Sequence, residues 1–148
     1  MSHTTEITSV SFSDIKALES AVSDLQSQGI RCKLETGGKP RGYYNNQMGL
    51  GAADYVLRLE DSPYDVGFYK SGKGYAARTD LFNGHVSKIL GVPVASSEPG
   101  RMEMASLGKL NQAYAVHSAI RQATKQGHTV RRINKPDGSI QLVMEVGN

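Results

Sequence analysis

The hydrophobic residues of the chain follow two periods in turn, that of a strand and that of a helix. A first helix is predicted where apolar residues recur at helical spacing, at Ile15, Leu18, Val22 and Leu25. Ser13 is its expected cap, and Gly29 is expected to end it in a left-handed conformation. Residues 7–12 before the helix predict a strand, and residues 30–35 after it alternate apolar and charged side chains, as a half-buried strand does. The chain therefore opens as strand, helix, strand.

The rest of the chain predicts hairpins and two further helices. The expected strands are residues 54–60, 65–70, 75–80, 128–134 and 139–146, and the expected helices are residues 85–90 and 104–126. The closing turn, Lys135-Pro-Asp-Gly138, is a strong signal because Pro presets φ and Gly accepts a positive φ. We therefore predict a single α+β domain over residues 1–148. It would hold a mostly antiparallel sheet of about six or seven strands with two main helices packed on one face, and it would not be an OB fold.

Two segments without periodicity are expected to be loops. Residues 36–53 contain five glycines together with Tyr43 and Tyr44, and residues 92–100 contain two prolines. Long loops without structure of their own are uncommon and are usually functional or disordered. We therefore look for function first in these loops.

Composition and targeting signals narrow the class of protein. The chain has 148 residues, of which 39% are hydrophobic, and this length suffices to bury a core. No apolar run is long enough to predict a membrane span, and the N-terminal residues lack the pattern of a signal peptide. Cys32 is the sole cysteine, which excludes an internal disulfide framework and a cysteine-cluster zinc site. We therefore expect a cytoplasmic protein.

Motifs for catalysis, metals and cofactors are missing from the sequence. The four histidines show no metal-ligand spacing, no Gly-x-Ser-x-Gly elbow is present, and the glycine-rich pieces lack the spacing of a phosphate-binding loop. Cys32 falls on the inward face of a predicted strand, where thiols are usually inert. We therefore expect no catalytic residue, no metal and no cofactor.

Positive charge is distributed unevenly along the chain. The net charge is +3, yet residues 101–135 carry seven cations against Glu103 alone, and residues 31–41 carry four against Glu35. Such asymmetry favours a polyanionic partner. The alternative is a solvated surface on which the cations cluster by chance.

Cations combined with tyrosines indicate single-stranded nucleic acid, because Lys and Arg hold phosphates while flat rings stack on bases. Three segments supply these residues, and the candidate binding residues are Lys39, Arg41, Tyr43, Tyr44, Lys70, Lys73, Arg131, Arg132 and Lys135. Tyr69 and Tyr75 either join them or stabilise the hairpin as cross-strand partners. The hypothesis requires that the three segments meet on one surface.

Several short motifs resemble a small family of unknown function found in cyanobacteria, plastids and phages. They are the N-terminal Met-Ser-His-Thr-Thr-Glu-Ile, residues 53–58, 64–68, 110–117 and 137–143. The chain departs from this family in residues 36–50 and 92–104, which are longer. In general character it also resembles the single-stranded-DNA-binding RNA polymerase cofactor of podophages. That resemblance implies a protein that coats melted DNA, a phage RNA polymerase as a partner, and no catalytic residues.

Two hypotheses follow. The first is a non-catalytic single-stranded DNA-binding protein that assists phage transcription. The second is an adaptor subunit for an ATPase or a polymerase that makes no contact with nucleic acid. Edge strands such as the closing hairpin would also allow copies of the chain to pair as a homo-oligomer.

Overall fold

A computed structural model of the chain describes residues 4–7, 11–42, 51–92, 105–137 and 139–145. Within these ranges the strands are β1 (Thr4–Ile7), β2 (Cys32–Thr36), β3 (Tyr55–Leu59), β4 (Val66–Ser71), β5 (Gly74–Asp80), β6 (Thr129–Asn134) and β7 (Ile140–Glu145). The helices are α1 (Ile15–Ser27), α2 (His85–Leu90) and α3 (Gly108–Lys125). All strand pairs are antiparallel, so the predicted α+β class is confirmed.

The seven described strands do not form one sheet, which corrects the prediction of a single sheet. Five of them form a sheet in the order β1-β5-β4-β3-β2, and β6 and β7 form a separate hairpin. The hairpin is held on the helical side because Arg132 of β6 binds Asp24 of α1. The edge strands β1 and β2 do not pair with each other, so the five-stranded sheet is open where an OB barrel would close.

The predicted strand at residues 7–12 is displaced in the structure. β1 ends at Ile7, and Ser11–Asp14 have no regular secondary structure. Phe12 is nevertheless fully buried, and its ring packs edge-on against Phe68 at a centroid distance of 5.2 Å. Phe12 is therefore a core residue, although it lies outside the described strands.

Asp14, rather than Ser13, caps α1. Its carboxylate accepts hydrogen bonds from the backbone N–H groups of Lys16 and Ala17 at 3.1 and 3.2 Å. The backbone N–H of Asp14 in turn donates to the hydroxyl of Tyr114 at 3.0 Å, which ties the start of α1 to α3.

The core lies between the helices and one face of the five-stranded sheet. The residues buried there share an apolar side chain and include Leu18, Leu25, Leu57, Phe68, Ala77, Leu110 and Tyr114. His117 of α3 links the two main helices, since its Nε2 lies 2.8 Å from Oδ2 of Asp24 in α1. Both main helices thus contribute to one core on one face of the sheet.

The opposite face of the sheet is partly covered by the ends of the glycine-rich loop. A Cβ on Gly67 of β4 would lie 2.9 Å from Cγ of Pro40, so the missing side chain makes room for the loop. The hydroxyl of Tyr69 donates to the carbonyl of Gly51 at 2.9 Å. Both ends of the loop therefore rest on the helix-free face, while Tyr43 and Tyr44 lie outside the described residues.

Candidate nucleic-acid interface

The predicted cations lie in three separate places. Lys39 and Arg41 lie on the helix-free face near the β3–β4 turn, because the Lys39 carbonyl accepts from Arg58 and the Arg41 side chain reaches Asp65. Lys70 and Lys73 lie at the tip of the β4–β5 hairpin. The length of β4, roughly 20 Å at about 3.3 Å per residue, separates these two places. The third group, Arg131, Arg132 and Lys135, belongs to the β6–β7 hairpin and its turn.

Arg41 is bound to a buried carboxylate. The side chain of Asp65 is 0% exposed and accepts hydrogen bonds from Nε and Nη2 of Arg41 at 2.9 and 2.7 Å. It also accepts from Nη1 of Arg58 at 2.9 Å and from the backbone N–H of Leu59 at 3.1 Å. Asp65 therefore fixes the loop to the β3–β4 turn.

The pKa of Asp65 shows that this carboxylate is ionised in the folded protein. Burial alone raises the pKa, but the hydrogen bonds from Arg41, from Leu59 and from Arg58 outweigh it and leave the pKa below its ordinary value. Two arginines thus share one negative charge in the protein interior. The positive charge that the sequence suggested for this region is in large part neutralised locally.

Four cations line a cleft of about 350 Å³ on this side of the molecule, and we call them the arginine surface: Arg31, Lys33, Arg41 and Arg58. Arg31 forms ion pairs with Asp61 and with Glu60. Arg58 binds Glu35 at 2.9 Å in addition to Asp65. Each arginine of this surface therefore has a carboxylate partner.

The tip of the β4–β5 hairpin combines lysines with tyrosine rings. Nζ of Lys70 lies 5.5 Å from the ring centroid of Tyr75, and the Tyr75 ring packs edge-on against Tyr55 at 5.4 Å. Tyr69 is paired with Ala76 across the hairpin and points to the other face, so the idea that Tyr69 and Tyr75 are cross-strand partners is wrong. Tyr69 instead stacks under Arg78, whose guanidinium lies 4.6 Å from the ring centroid.

This hairpin tip touches the segment that leads into α1. The backbone N–H of Phe12 donates to the carbonyl of Tyr75 at 2.9 Å. A Cβ on Gly74 would lie 3.1 Å from Cα of Ser13, so glycine permits the close approach. Lys73, next to Gly74, is therefore adjacent to the start of α1.

A shallow cleft of about 390 Å³ continues from this contact along α1 and α3. Its lining residues are Ser13, Asp14, Ile15, Lys16, Ser118, Arg121, Gln122 and Lys125. Three of them are cations, and the single carboxylate is bound by Nε of Arg121 at 2.6 Å. Burial raises the pKa of Asp14, but the hydrogen bond from Arg121 and the charge of Lys125 are among the opposing effects that leave it lowered.

We call the cations around this contact the lysine surface: Lys16, Lys70, Lys73, Arg121 and Lys125. None of its four lysines forms an ion pair with a carboxylate in the part of the chain that the structure describes. Two carboxylates border this surface on the side of Tyr55. Asp54 accepts a hydrogen bond from the backbone N–H of Lys70 at 2.9 Å, and the charges of Glu19 and Asp54 both act on Tyr55. The rest of the surface presents positive charge to solvent.

The β6–β7 hairpin presents its cations on both faces, as expected of adjacent residues in a strand. Nη1 of Arg132 donates to Oδ2 of Asp24 at 2.8 Å, while Arg131 and Lys135 are exposed. Asp24 also binds His117, and these two hydrogen bonds keep its pKa below its ordinary value even though burial raises it. Arg132 therefore holds the hairpin against α1.

Sequence reasoning missed Lys16, Arg121 and Lys125 as members of a site. Arg121 and Lys125 are four residues apart on α3 and so share one face of that helix, which was a usable signal. Nothing in the sequence pattern showed that this face meets the start of α1 and the tip of a distant hairpin.

The described residues form neither a metal-binding cluster nor a helix that could span a membrane. No three histidine, cysteine, aspartate or glutamate side chains within the described ranges are placed to hold a metal ion. Cys32 is half-buried, and burial raises the pKa of its thiol. In the same ranges, every helix is too short or too polar to cross a lipid bilayer.

Comparison with known protein families gives one match. The profile of a family described as protein of unknown function, DUF1257, matches residues 21–143. The chain belongs to this DUF1257 family. The DUF1257 match runs from within α1 to within β7, so it includes the arginine surface and all of the lysine surface except Lys16. No curated protein and no solved structure has significant similarity to the chain.

Proposed function

We propose that this DUF1257 protein is a non-catalytic single-stranded DNA-binding protein and that it binds DNA through the lysine surface. The observation that carries the proposal is that Lys16 and Lys125 line one cleft with Ser13, that the hairpin bearing Lys70 and Lys73 touches the chain at Ser13, and that none of these lysines has a carboxylate partner among the described residues. They come from α1, from the β4–β5 hairpin and from α3. Such cations are free to exchange solvent counterions for phosphates.

The arrangement suits a single strand better than a duplex. Tyr75 and Tyr55 are half-buried rings beside Lys70, and an accessible ring face is where an unpaired base stacks. A duplex keeps its bases stacked inside, so it would gain only the phosphate contacts. The cleft along α1 and α3 is shallow, which fits a flexible strand that follows the surface.

The proposal revises the set of binding residues. Lys70 and Lys73 are retained, and Lys16 and Lys125 join them, while Arg121 lines the same cleft but is bound to Asp14. Arg41 and Arg132 are removed because each guanidinium is bound to an aspartate. The roles of Lys39, Arg131, Lys135 and the two loop tyrosines stay predictions.

The biological setting belongs to the same proposal. The resemblance to phage RNA polymerase cofactors supports a role beside such a polymerase on melted DNA. That role places the protein in the cytoplasm, which suits its lone half-buried thiol.

A titration with fluorescently labelled DNA tests the proposal. Fluorescence anisotropy is measured with an oligonucleotide of about 16 nucleotides, the upper end of common single-strand site sizes, and with its duplex. We expect the single strand to bind more tightly, and its affinity to fall steeply between about 50 and 200 mM salt. Absence of binding, or binding that does not respond to salt, would overturn the proposal.

One observation favours the adaptor hypothesis as a second candidate. Ile133 and Met144 of the β6–β7 hairpin are 38% and 55% exposed, so each face of the hairpin presents one large apolar side chain to solvent. A protein partner contacting this hairpin would survive nuclease treatment in a pull-down, whereas a partner bridged by DNA would be lost.

A further inference from the structure

The β6–β7 hairpin is an exposed two-stranded sheet. None of the described residues of β6 or β7 is fully buried. β6 packs beside α3, and β7 lies on the outer side of β6. Among the described residues no strand pairs with the outer edge of β7. Isolated two-stranded hairpins are marginally stable in water, so further pairing would stabilise this one.

β7 lacks the features that normally protect an edge strand. Natural edges carry lysine, proline or a bulge that prevents pairing with another chain. β7 contains neither residue, and its six positions pair with β6 one for one without a bulge. Four of the six residues are apolar, and the single charge stands at the end, on Glu145. This strand therefore presents a regular and nearly uncharged edge.

Charge indicates what pairs with this edge. In a symmetric antiparallel pair centred on Leu142, Ile140 faces Met144 and Gln141 faces Val143, so no charged residues oppose each other. The same pairing of β6 would set Arg131 or Arg132 close to its own copy, which is unfavourable. β7 is thus complementary to itself, and β6 is not.

We propose that β7 pairs with β7 of a second copy of the chain, antiparallel and around a two-fold axis. The product is a four-stranded sheet in which each copy contributes β6 on the outside and β7 in the middle. A two-fold pairing is closed, so it covers the exposed edge without building a fibre. The two arginine-bearing β6 strands become the new edges, and their charges oppose further addition.

The first measurement is the mass of the full-length protein by size-exclusion chromatography with light scattering. We expect twice the 16.0 kDa of one chain. The variant Gln141→Lys adds a cation at an exposed position of the edge strand. It should elute as a monomer at the same protein concentration. The matched variant Ile133→Lys, directly across on β6, should remain a dimer. A monomeric native protein would overturn the proposal.

Disulfide trapping then identifies the strand at the interface. In a Cys32→Ser background, single cysteines replace residues 141–144 of β7 and residues 131–134 of β6. Directly opposed residues of antiparallel strands have Cα atoms about 4.5–5.5 Å apart, within disulfide range. We expect covalent dimers from the β7 position on the two-fold axis and none from β6. Equal trapping from both strands, or trapping from β6 alone, would contradict the proposal.

Discussion

The arginine surface and the lysine surface are both basic, but their cations have different partners. On the arginine surface, Arg41 and Arg58 share Asp65, and Arg31 binds Asp61. On the lysine surface the four lysines have no carboxylate partner among the described residues, and only Arg121 is paired. The planar guanidinium fits a carboxylate with two parallel hydrogen bonds, whereas the ammonium group of lysine remains hydrated at the end of a flexible chain.

This difference separates cations that hold the fold together from cations that are available to a ligand. An arginine paired with a carboxylate contributes little to the field that attracts a polyanion, because the two charges cancel at a distance. A lysine without such a partner contributes its full charge. The position of positive residues in the sequence does not distinguish the two cases. The partners do.

The largest expected effect comes from removing the shared carboxylate of the arginine surface. Asp65→Asn removes the buried carboxylate that binds Arg41 and is one of the two carboxylate partners of Arg58, and removing one partner of a buried charge pair costs about 3 kcal/mol. That is a large fraction of the free energy of unfolding of a typical protein, about 5–15 kcal/mol. Denaturant unfolding monitored by circular dichroism measures the loss.

Asp61→Asn is the matched control, because it removes the same charge from an exposed ion pair with Arg31. Exposed pairs contribute little to stability, so we expect almost no change in the denaturation midpoint. Equal midpoints for the two variants would show that Asp65 has no special structural role.

The second prediction is that acid removes the stability that the ionised Asp65 carboxylate contributes. The pKa of Asp65 is lowered in the folded protein, so its stabilising effect is complete above its unfolded pKa of about 3.9 and is lost as the pH falls through the folded value. We expect the free energy of unfolding to fall below about pH 4. Asp65→Asn should weaken this dependence, and a variant with the unchanged acid profile would contradict the assignment.

These contacts also show which features the sequence predicts and which it does not. The β4–β5 hairpin is local, and Gly72, with φ of 59°, supplies the turn that the sequence predicts. Because the predicted strands already placed Lys70 opposite Tyr75, the opposite orientation of Tyr69 was deducible as well. The geometry of a local hairpin can therefore be predicted from the sequence pattern.

The pairing of charges is not accessible in this way. Arg41 and Asp65 are 24 positions apart, and Asp14 and Arg121 are 107 positions apart. No periodicity links such residues, because they meet only after the loop and the helices have packed. The separation of the two surfaces thus depends on tertiary structure, and the sequence could show only that both regions are basic.

The third prediction compares DNA binding by the two surfaces. The triple variant Lys16→Gln, Lys73→Gln and Lys125→Gln should weaken single-stranded DNA binding more than about tenfold at low salt and lower the slope of log affinity against log salt by about 2. The control removes three cations whose guanidinium groups are bound to carboxylates: Arg31→Gln, Arg58→Gln and Arg132→Gln. We expect it to retain the native salt slope. Equal losses would mean that the partners of the arginines do not matter to binding.

The smallest effect is expected from the ring at the edge of the lysine surface. Tyr75→Leu keeps an apolar side chain against Tyr55 but removes the face on which a base would stack. Stacking contributes about 1–3 kcal/mol per base, and because Tyr75 is half-buried we expect the low end, about fivefold weaker binding. The salt slope should stay unchanged, since no charge is removed. Tyr69→Leu, on the opposite face of the same hairpin, should bind DNA as the native protein does. A loss of affinity from Tyr69→Leu with none from Tyr75→Leu would move the binding surface to the helix-free face.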